Sequence, residues 1–313
     1  MKIAVIGTGG VGGYFGGRLA ESGSDVWFVA RGRHLEEMRR CGLKVKSRLG
    51  DILIKPVKAT DNTAEIGSVD LVMIAVKLAD TDAAIETAKP LLGPDTAVVS
   101  LQNGIEAVER LTAAFGKQRV LGGVCHIAAV ISGPGIILHT GTMARMTIGE
   151  IDGSMSKRLE AIAEACKQAK IDFIATPEIE KAIWHKFVFL SSFSGVTTLT
   201  RLPKGPIMAE PETRALLSAA IAEAVAVARA RGVKLDDDLV EKLMKFAEGL
   251  PDDMKSSMLG DLERGARLEL PWLSGTVAKL GASLGVPTPV HKVIYQALKP
   301  YAAGRNGGPK VPV

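Results

Sequence analysis

The chain has 313 residues, 47% of them hydrophobic, with 34 glycines, three cysteines and a formal net charge of +5 at pH 7. That length suits two domains with apolar residues for two cores, and no stretch reaches the ~18 uninterrupted apolar residues of a membrane span. The charge is too modest and dispersed for a nucleic-acid partner but suits anionic small molecules; Cys41, Cys125 and Cys166 form no C-x-x-C pair, which argues against disulfides and a zinc site and for a reducing cytoplasm.

The apolar run 3–6 predicts a buried strand, residues 7–12 a tight turn and residues 13–20 a helix. The four apolar residues after Lys2 are too few for a signal peptide before the glycines begin, so no leader is expected. The turn reads Gly7-Thr8-Gly9-Gly10-Val11-Gly12, a G-x-G-x-x-G pattern in the place a bound dinucleotide requires. One glycine makes the turn, one lets the backbone approach the pyrophosphate, and one lets helix and strand pack, while the helix N-terminus offers free N–H groups. The bland alternative is a glycine-rich strand–helix connection.

A second strand over 25–30 should end beside the adenosine ribose. NAD sites usually place an acid there, but Asp25 lies about five residues too early at roughly 3.3 Å each. Arg31 stands at the strand's end, followed by Gly32-Arg33-His34. A guanidinium grips a 2′-phosphate bidentately where an acid would repel it, so the pattern points to NADP(H). Otherwise Arg31 and Arg33 are solvated loop charges.

Next come a helix over 35–41, alternating strands over 43–47 and 51–54, and a buried strand over 70–76 followed by Lys77. A helix over 80–92 and a strand over 96–101 lead into Gln102-Asn103-Gly104. Continuous apolar strands alternating with helices predict a parallel sheet covered on both faces. Strands near 120–131, 135–139 and 143–149 lack long helices between them and suggest an antiparallel extension; a helix over 156–169 and a strand over 171–175 close a first domain spanning 1–176. Lys77 and Asn103 both follow strands at the sheet edge that carries the glycine turn, where ligands of open α/β sheets bind. Taken singly, one is a snorkelling lysine and the other a common Asn-Gly turn.

From Pro177 the pattern is helical, with helices expected over 178–199, 211–231, 236–247, 252–264, 271–284 and 289–301. The fold class is thus an α/β Rossmann-type N-terminal domain plus an all-α C-terminal domain at 177–302, with a flexible tail at 303–313. Trp184-His-Lys186-Phe-Val-Phe-Leu190 embeds a lysine among large apolar residues. Such a lysine either snorkels or serves as a proton donor. Glu269 lies between leucines ahead of Pro271, as a helix-terminal charge or as a partner for that lysine.

In combination these residues resemble the ketopantoate reductase (2-dehydropantoate 2-reductase) family across nearly the whole chain. The resemblance rests on the glycine turn, Arg31, Lys77, Gln102-Asn103-Gly104, Trp184-His-Lys186, Lys255-Ser-Ser257-Met-Leu-Gly-Asp261 and Glu269. It implies NADPH-dependent reduction of 2-dehydropantoate to pantoate, with Lys186 protonating the developing alkoxide. Glu269 matches the acid near cofactor and lysine, Ser257 a serine at the substrate carboxylate, Lys77 and Asn103 residues that position nicotinamide and substrate, and Arg31 the 2′-phosphate ligand.

Three positions depart from the family pattern. Asparagines one and two helical turns after the lysine are Leu190 and Ser194 here, and a third, in the following loop, is replaced by Lys204 with Arg201 nearby. Leucine cannot hydrogen-bond a substrate, and losing such a contact costs about 1–3 kcal/mol; Ser194 and Lys204 are the candidate replacements. The alternatives are therefore a reductase of another small 2-oxo acid or an opine- or 3-hydroxy-acid-type dehydrogenase, and, from a different class, a non-catalytic NADP(H)-binding regulator. A homodimer and a cytoplasmic location complete the expectation.

Overall fold

The computed structural model describes residues 1–305, which fall into two compact units, Met1–Ile183 and the residues from Trp184 onward. The sequence pattern had placed the division at 176/177, at the proline; the structure divides inside the helix that follows.

In the first unit β1 (Lys2–Ile6) leads to α1 (Gly10–Glu21), β2 (Asp25–Val29), α2 (Gly32–Cys41), β3 (Leu43–Ser47), β4 (Ile52–Ile54), β5 (Lys58–Thr60) and β6 (Leu71–Ile74). Then come α3 (Thr81–Ala88), β7 (Ala97–Ser100), α4 (Glu106–Phe115), β8 (Val120–Gly133), β9 (Ile136–Glu150), α5 (Lys157–Gln168) and β10 (Asp172–Ala175). One sheet runs β4-β3-β9-β8-β7-β6-β1-β2-β5, with β10 alongside β9. From β5 to β8 every neighbour is parallel, and the chain order reverses between β1 and β6. That is the Rossmann-type arrangement, with its switch point beside β1.

Period-two patterning explains why both faces are covered. Ile3 and Val5 pack with Phe15, Phe28 and Met38 on one face, while Ala4 and Ile6 join Val72, Ile74 and Leu111 on the other. The antiparallel extension is narrower than the pattern suggested. β8 and β9 form one long antiparallel hairpin, but β9 pairs in parallel with β3 and β10. The two strands expected over 135–139 and 143–149 are the single strand β9. Its register shifts between Ile127 and Ala128 of β8, opposite Gly141 at φ +76°, and this irregularity reads in sequence as a strand break. The three-residue β5 and the helix α4 were not anticipated, although Gly116 just past α4 is a usual helix stop.

α6 (Ile179–Thr200) runs from the first unit into the second, where α7 (Lys204–Ala209), α8 (Pro211–Ala230), α9 (Leu239–Glu248), α10 (Ser257–Glu263), α11 (Ser274–Leu284) and α12 (Pro289–Leu298) follow. The second unit is all-α, as its periodicity predicted. α7 was not foreseen, and α10 is shorter than the helix expected over 252–264, because Ser256 caps it with its hydroxyl on the Leu259 N–H. α12 is capped from another helix: the Glu223 carboxylate of α8 accepts the N–H groups of Val290 and His291 at 2.8 and 3.0 Å. Among the described residues no helix is long and apolar enough to cross a membrane. Residues 303–305 of the expected flexible tail form a turn, with Arg305 N–H bonded to the Gly265 carbonyl at 2.9 Å; residues 306–313 lie outside the described residues.

Candidate functional site

The glycine turn begins where β1 ends at the switch point. Gly7 has φ +94°, and a Cβ there would lie 2.7 Å from Val76 Cγ1 and 2.9 Å from the Ala75 carbonyl carbon, so the turn fits against the chain leaving β6 only without a side chain. Gly7 N–H, Thr8 N–H and Thr8 Oγ1 all donate to the Val29 carbonyl at the end of β2, at 3.3, 3.3 and 3.1 Å. The turn is thereby fastened to the strand that delivers Arg31.

The next glycines do different work. A Cβ on Gly10 would overlap the Ala129 carbonyl of β8, and one on Gly12 would overlap the Gly7 carbonyl. A Cβ on Gly9 would meet nothing within 4 Å. Gly9 is also the N-cap of α1, with no side-chain cap and no acidic residue in the first helical turn. The first N–H groups of a helix have no intrahelical partner, so this end combines unclaimed donors, the positive end of the helix dipole and open space. That is the chemistry of an anion cradle.

Around it stand the other sequence-chosen residues of this unit. Arg31 is exposed at the N-cap position of α2, and Arg33 is exposed in its first turn. Lys77 is exposed three residues after β6 ends at Ile74, at the start of a short 3₁₀ turn, and Asn103 is half-buried just after β7. All follow carboxyl ends of parallel strands, so the sheet gathers them on one edge. A network missed in the sequence braces that edge: buried Gln102 donates from Nε2 to Thr81 Oγ1 of α3 at 2.9 Å and accepts from Ser100 Oγ at 3.0 Å. Its only sequence signal was its position beside Asn103.

The second unit holds the remaining candidates. Lys186 is half-buried on α6 between buried Trp184 and Phe187, whose rings meet edge-to-face. One turn on, Leu190 is half-buried; two turns on, Ser194 is 0% exposed and its hydroxyl has no hydrogen-bond partner. Glu269 is 5% exposed. Pro271 sits in a 3₁₀ turn over Leu270–Trp272, and α11 starts only at Ser274, so Glu269 is a buried acid rather than a charge in that helix's first turn.

The lysine and serine near α7 and α10 are placed differently from one another. Lys204 is buried, with its ammonium 2.6 Å from Asp252 Oδ1 and 3.3 Å from the Glu248 carbonyl. Ser257 is exposed, whereas its neighbour Ser256 is buried, with its hydroxyl 2.7 Å from Thr197 Oγ1 of α6. Backbone bonds from Lys204 to Met254 and from Gly205 to Asp252 bring the starts of α7 and α10 near one another.

Residues 3–153 match the family model described as Ketopantoate reductase PanE/ApbA, and residues 178–302 match its C-terminal counterpart. The chain belongs to the ketopantoate reductase family. A Bacillus subtilis protein named "Uncharacterized oxidoreductase YkpB" is 36% identical over 97% of this chain and 99% of its own length. A 2-dehydropantoate 2-reductase of Mesorhizobium japonicum is 33% identical over 98% of this chain and 99% of its own. The crystal structure of a 2-dehydropantoate 2-reductase from Geobacter metallireducens superposes with a TM-score of 0.90 at 32% identity, covering 96% of this chain and 99% of that one. The chain is thus an oxidoreductase of the ketopantoate reductase family, and its two matched segments follow the family's two-part plan.

Proposed function

We propose that this oxidoreductase is an NADPH-dependent reductase of a small 2-oxo acid, with reduction of 2-dehydropantoate to pantoate as the leading assignment. The observation that carries the cofactor half is the open, uncapped N-terminus of α1 at Gly9, flanked by glycines whose Cβ positions are filled by backbone. A pyrophosphate fits there because the donors are preorganised and nothing needs to be displaced. Arg31 supplies a guanidinium for a 2′-phosphate. Lys77 and Asn103, on the same sheet edge, are suited to hold the nicotinamide half and the substrate.

When bound, NADPH supplies the hydride for the C2 keto carbon. Lys186 then has the task of delivering a proton to the developing alkoxide, with Glu269 holding the lysine oriented. Ser257 is proposed for the substrate's carboxylate region, whereas Lys204 is engaged by Asp252 and Ser194 is sealed from solvent, so neither is assigned to the substrate. The relatives that carry the name 2-dehydropantoate 2-reductase support this substrate, and a cytoplasmic homodimer fits the reading.

A second reading is favoured by α6. Leu190 offers no hydrogen bond, and the Ser194 hydroxyl is sealed at 0% exposure, so this stretch suits a 2-oxo acid with a less polar side chain than 2-dehydropantoate.

Oxidation of NADPH and of NADH across a panel of 2-oxo acids that includes 2-dehydropantoate separates these readings. Lys186→Ala is expected to keep NADPH binding while turnover drops by about 10²–10⁴-fold. Unchanged turnover in that variant refutes the assignment of the proton donor.

A further inference from the structure

We propose that His34 is a positioning residue for the dinucleotide site, a clasp through which the tip of the β8–β9 hairpin holds the start of α2 against the glycine turn. This rests on the reading of that turn as the NADPH site. His34 lies in the first turn of α2, three residues after Arg31, and its side chain is half-buried. Its Nδ1 accepts the backbone N–H of Gly135, at the hairpin tip, at 3.0 Å.

A backbone amide can only donate, so Nδ1 must present its lone pair and the ring's proton must sit on Nε2. Nε2 is sealed from solvent, and the ring interacts with the Thr8 backbone inside the glycine turn. Burial lowers the pKa of the ring, which agrees with its neutral state. One imidazole therefore spans from the hairpin tip to the turn that cradles the anion.

The hairpin is held at the other end of this contact too. The Gly135 carbonyl accepts the Lys44 N–H of β3 at 2.9 Å, and φ +70° at Gly135 presents both of its polar groups in this way. Further along, the Ala129 backbone of β8 abuts Gly10, and Ile137 of β9 abuts Gly13. The N-terminus of α1 thus rests on the hairpin, and His34 fixes the hairpin tip to the segment carrying Arg31. Removing the ring frees that segment relative to the glycine turn. The consequence falls on cofactor affinity more than on chemistry.

The test uses fluorescence titration with NADPH, together with steady-state kinetics and thermal melts, on the wild type, His34→Ala and His34→Asn. Asparagine places an amide oxygen near the position of Nδ1 and can accept the Gly135 N–H. His34→Ala is expected to raise the NADPH Kd about tenfold, the effect of one lost hydrogen bond, with kcat at saturating cofactor changing less than kcat/KM. His34→Asn is expected to recover most of that affinity. An unchanged NADPH Kd in His34→Ala overturns the proposal, as does a fall in melting temperature with kcat and KM moving together and no recovery in His34→Asn. Should His34→Ala fail to fold, His34→Asn decides alone: near-normal affinity supports the clasp, and tenfold weaker binding overturns it. A wild-type protein that binds no NADPH overturns the cofactor reading itself, and the clasp with it.

Discussion

Gly9, Gly10 and Gly12 look interchangeable in a G-x-G-x-x-G string, yet each has a different neighbour. Gly10 faces the Ala129 carbonyl and Gly12 the Gly7 carbonyl, while Gly9 faces open space at ordinary φ −83°. Gly9→Ala is therefore expected to fold with a melting temperature within a few degrees of wild type while weakening NADPH at least tenfold, because the new methyl occupies the approach of the pyrophosphate. Gly10→Ala and Gly12→Ala force backbone apart and are expected to cost about 1–3 kcal/mol or more of stability. Thermal melts and NADPH titration of the three variants check this, and equal destabilisation by all three refutes it. The motif was legible in the sequence; which glycine faces open space was not, because Ala129 lies far along the chain from Gly10. The resemblance likewise selected Ser257, and only the structure shows that its neighbour Ser256 is buried against Thr197 while Ser257 is exposed.

Several elements are fixed by side chains borrowed from elsewhere. The Glu223 carboxylate satisfies two N–H groups at the start of α12 that the helix itself cannot. Glu223→Ala is expected to cost about 1–2 kcal/mol, read by urea denaturation, since helix caps have that magnitude; a loss under a few tenths would show the cap to be idle. In the first unit Glu150, at the end of β9, is paired with Arg158 of α5 at 2.6 Å. Burial pushes this carboxyl up, but Arg158 and Ser156 outweigh it and hold the group below its usual pKa. Helix periodicity and strand alternation made most elements readable in advance. α4, α7 and β5 escaped because they are short, or because long-range packing rather than local propensity selects them.

For the molecule as a whole, one fully buried histidine contributes to the response to acid. His291 is fully buried, its Nε2 is 3.0 Å from the Ala220 carbonyl, and burial lowers its pKa from 6.5 to about 4. The folded state keeps the ring neutral, so the unfolded chain binds the extra proton between pH 6.5 and about 4. Stability is then fully present above pH 6.5 and is lost as pH falls through this window, by up to a few kcal/mol. The lowered pKa of His34 acts in the same direction. Urea titrations from pH 7 to pH 5 should show falling stability, with a shallower fall in His291→Gln; equal slopes in the two proteins would refute the role of His291.

The sequence by itself determined what local chemistry decides: a strand–glycine–helix opening, an arginine rather than an acid after β2, a helical second half, and a lysine set among aromatic residues. Period, propensity and charge are properties of neighbouring residues, so they survive without the fold. Only the tertiary structure decided that β9 is one strand, that Glu269 is a buried acid, that Lys204 is already paired with Asp252, and that His34 reaches Gly135. Each of these depends on which distant backbone group a side chain meets, and that is set when the sheet and the helices pack.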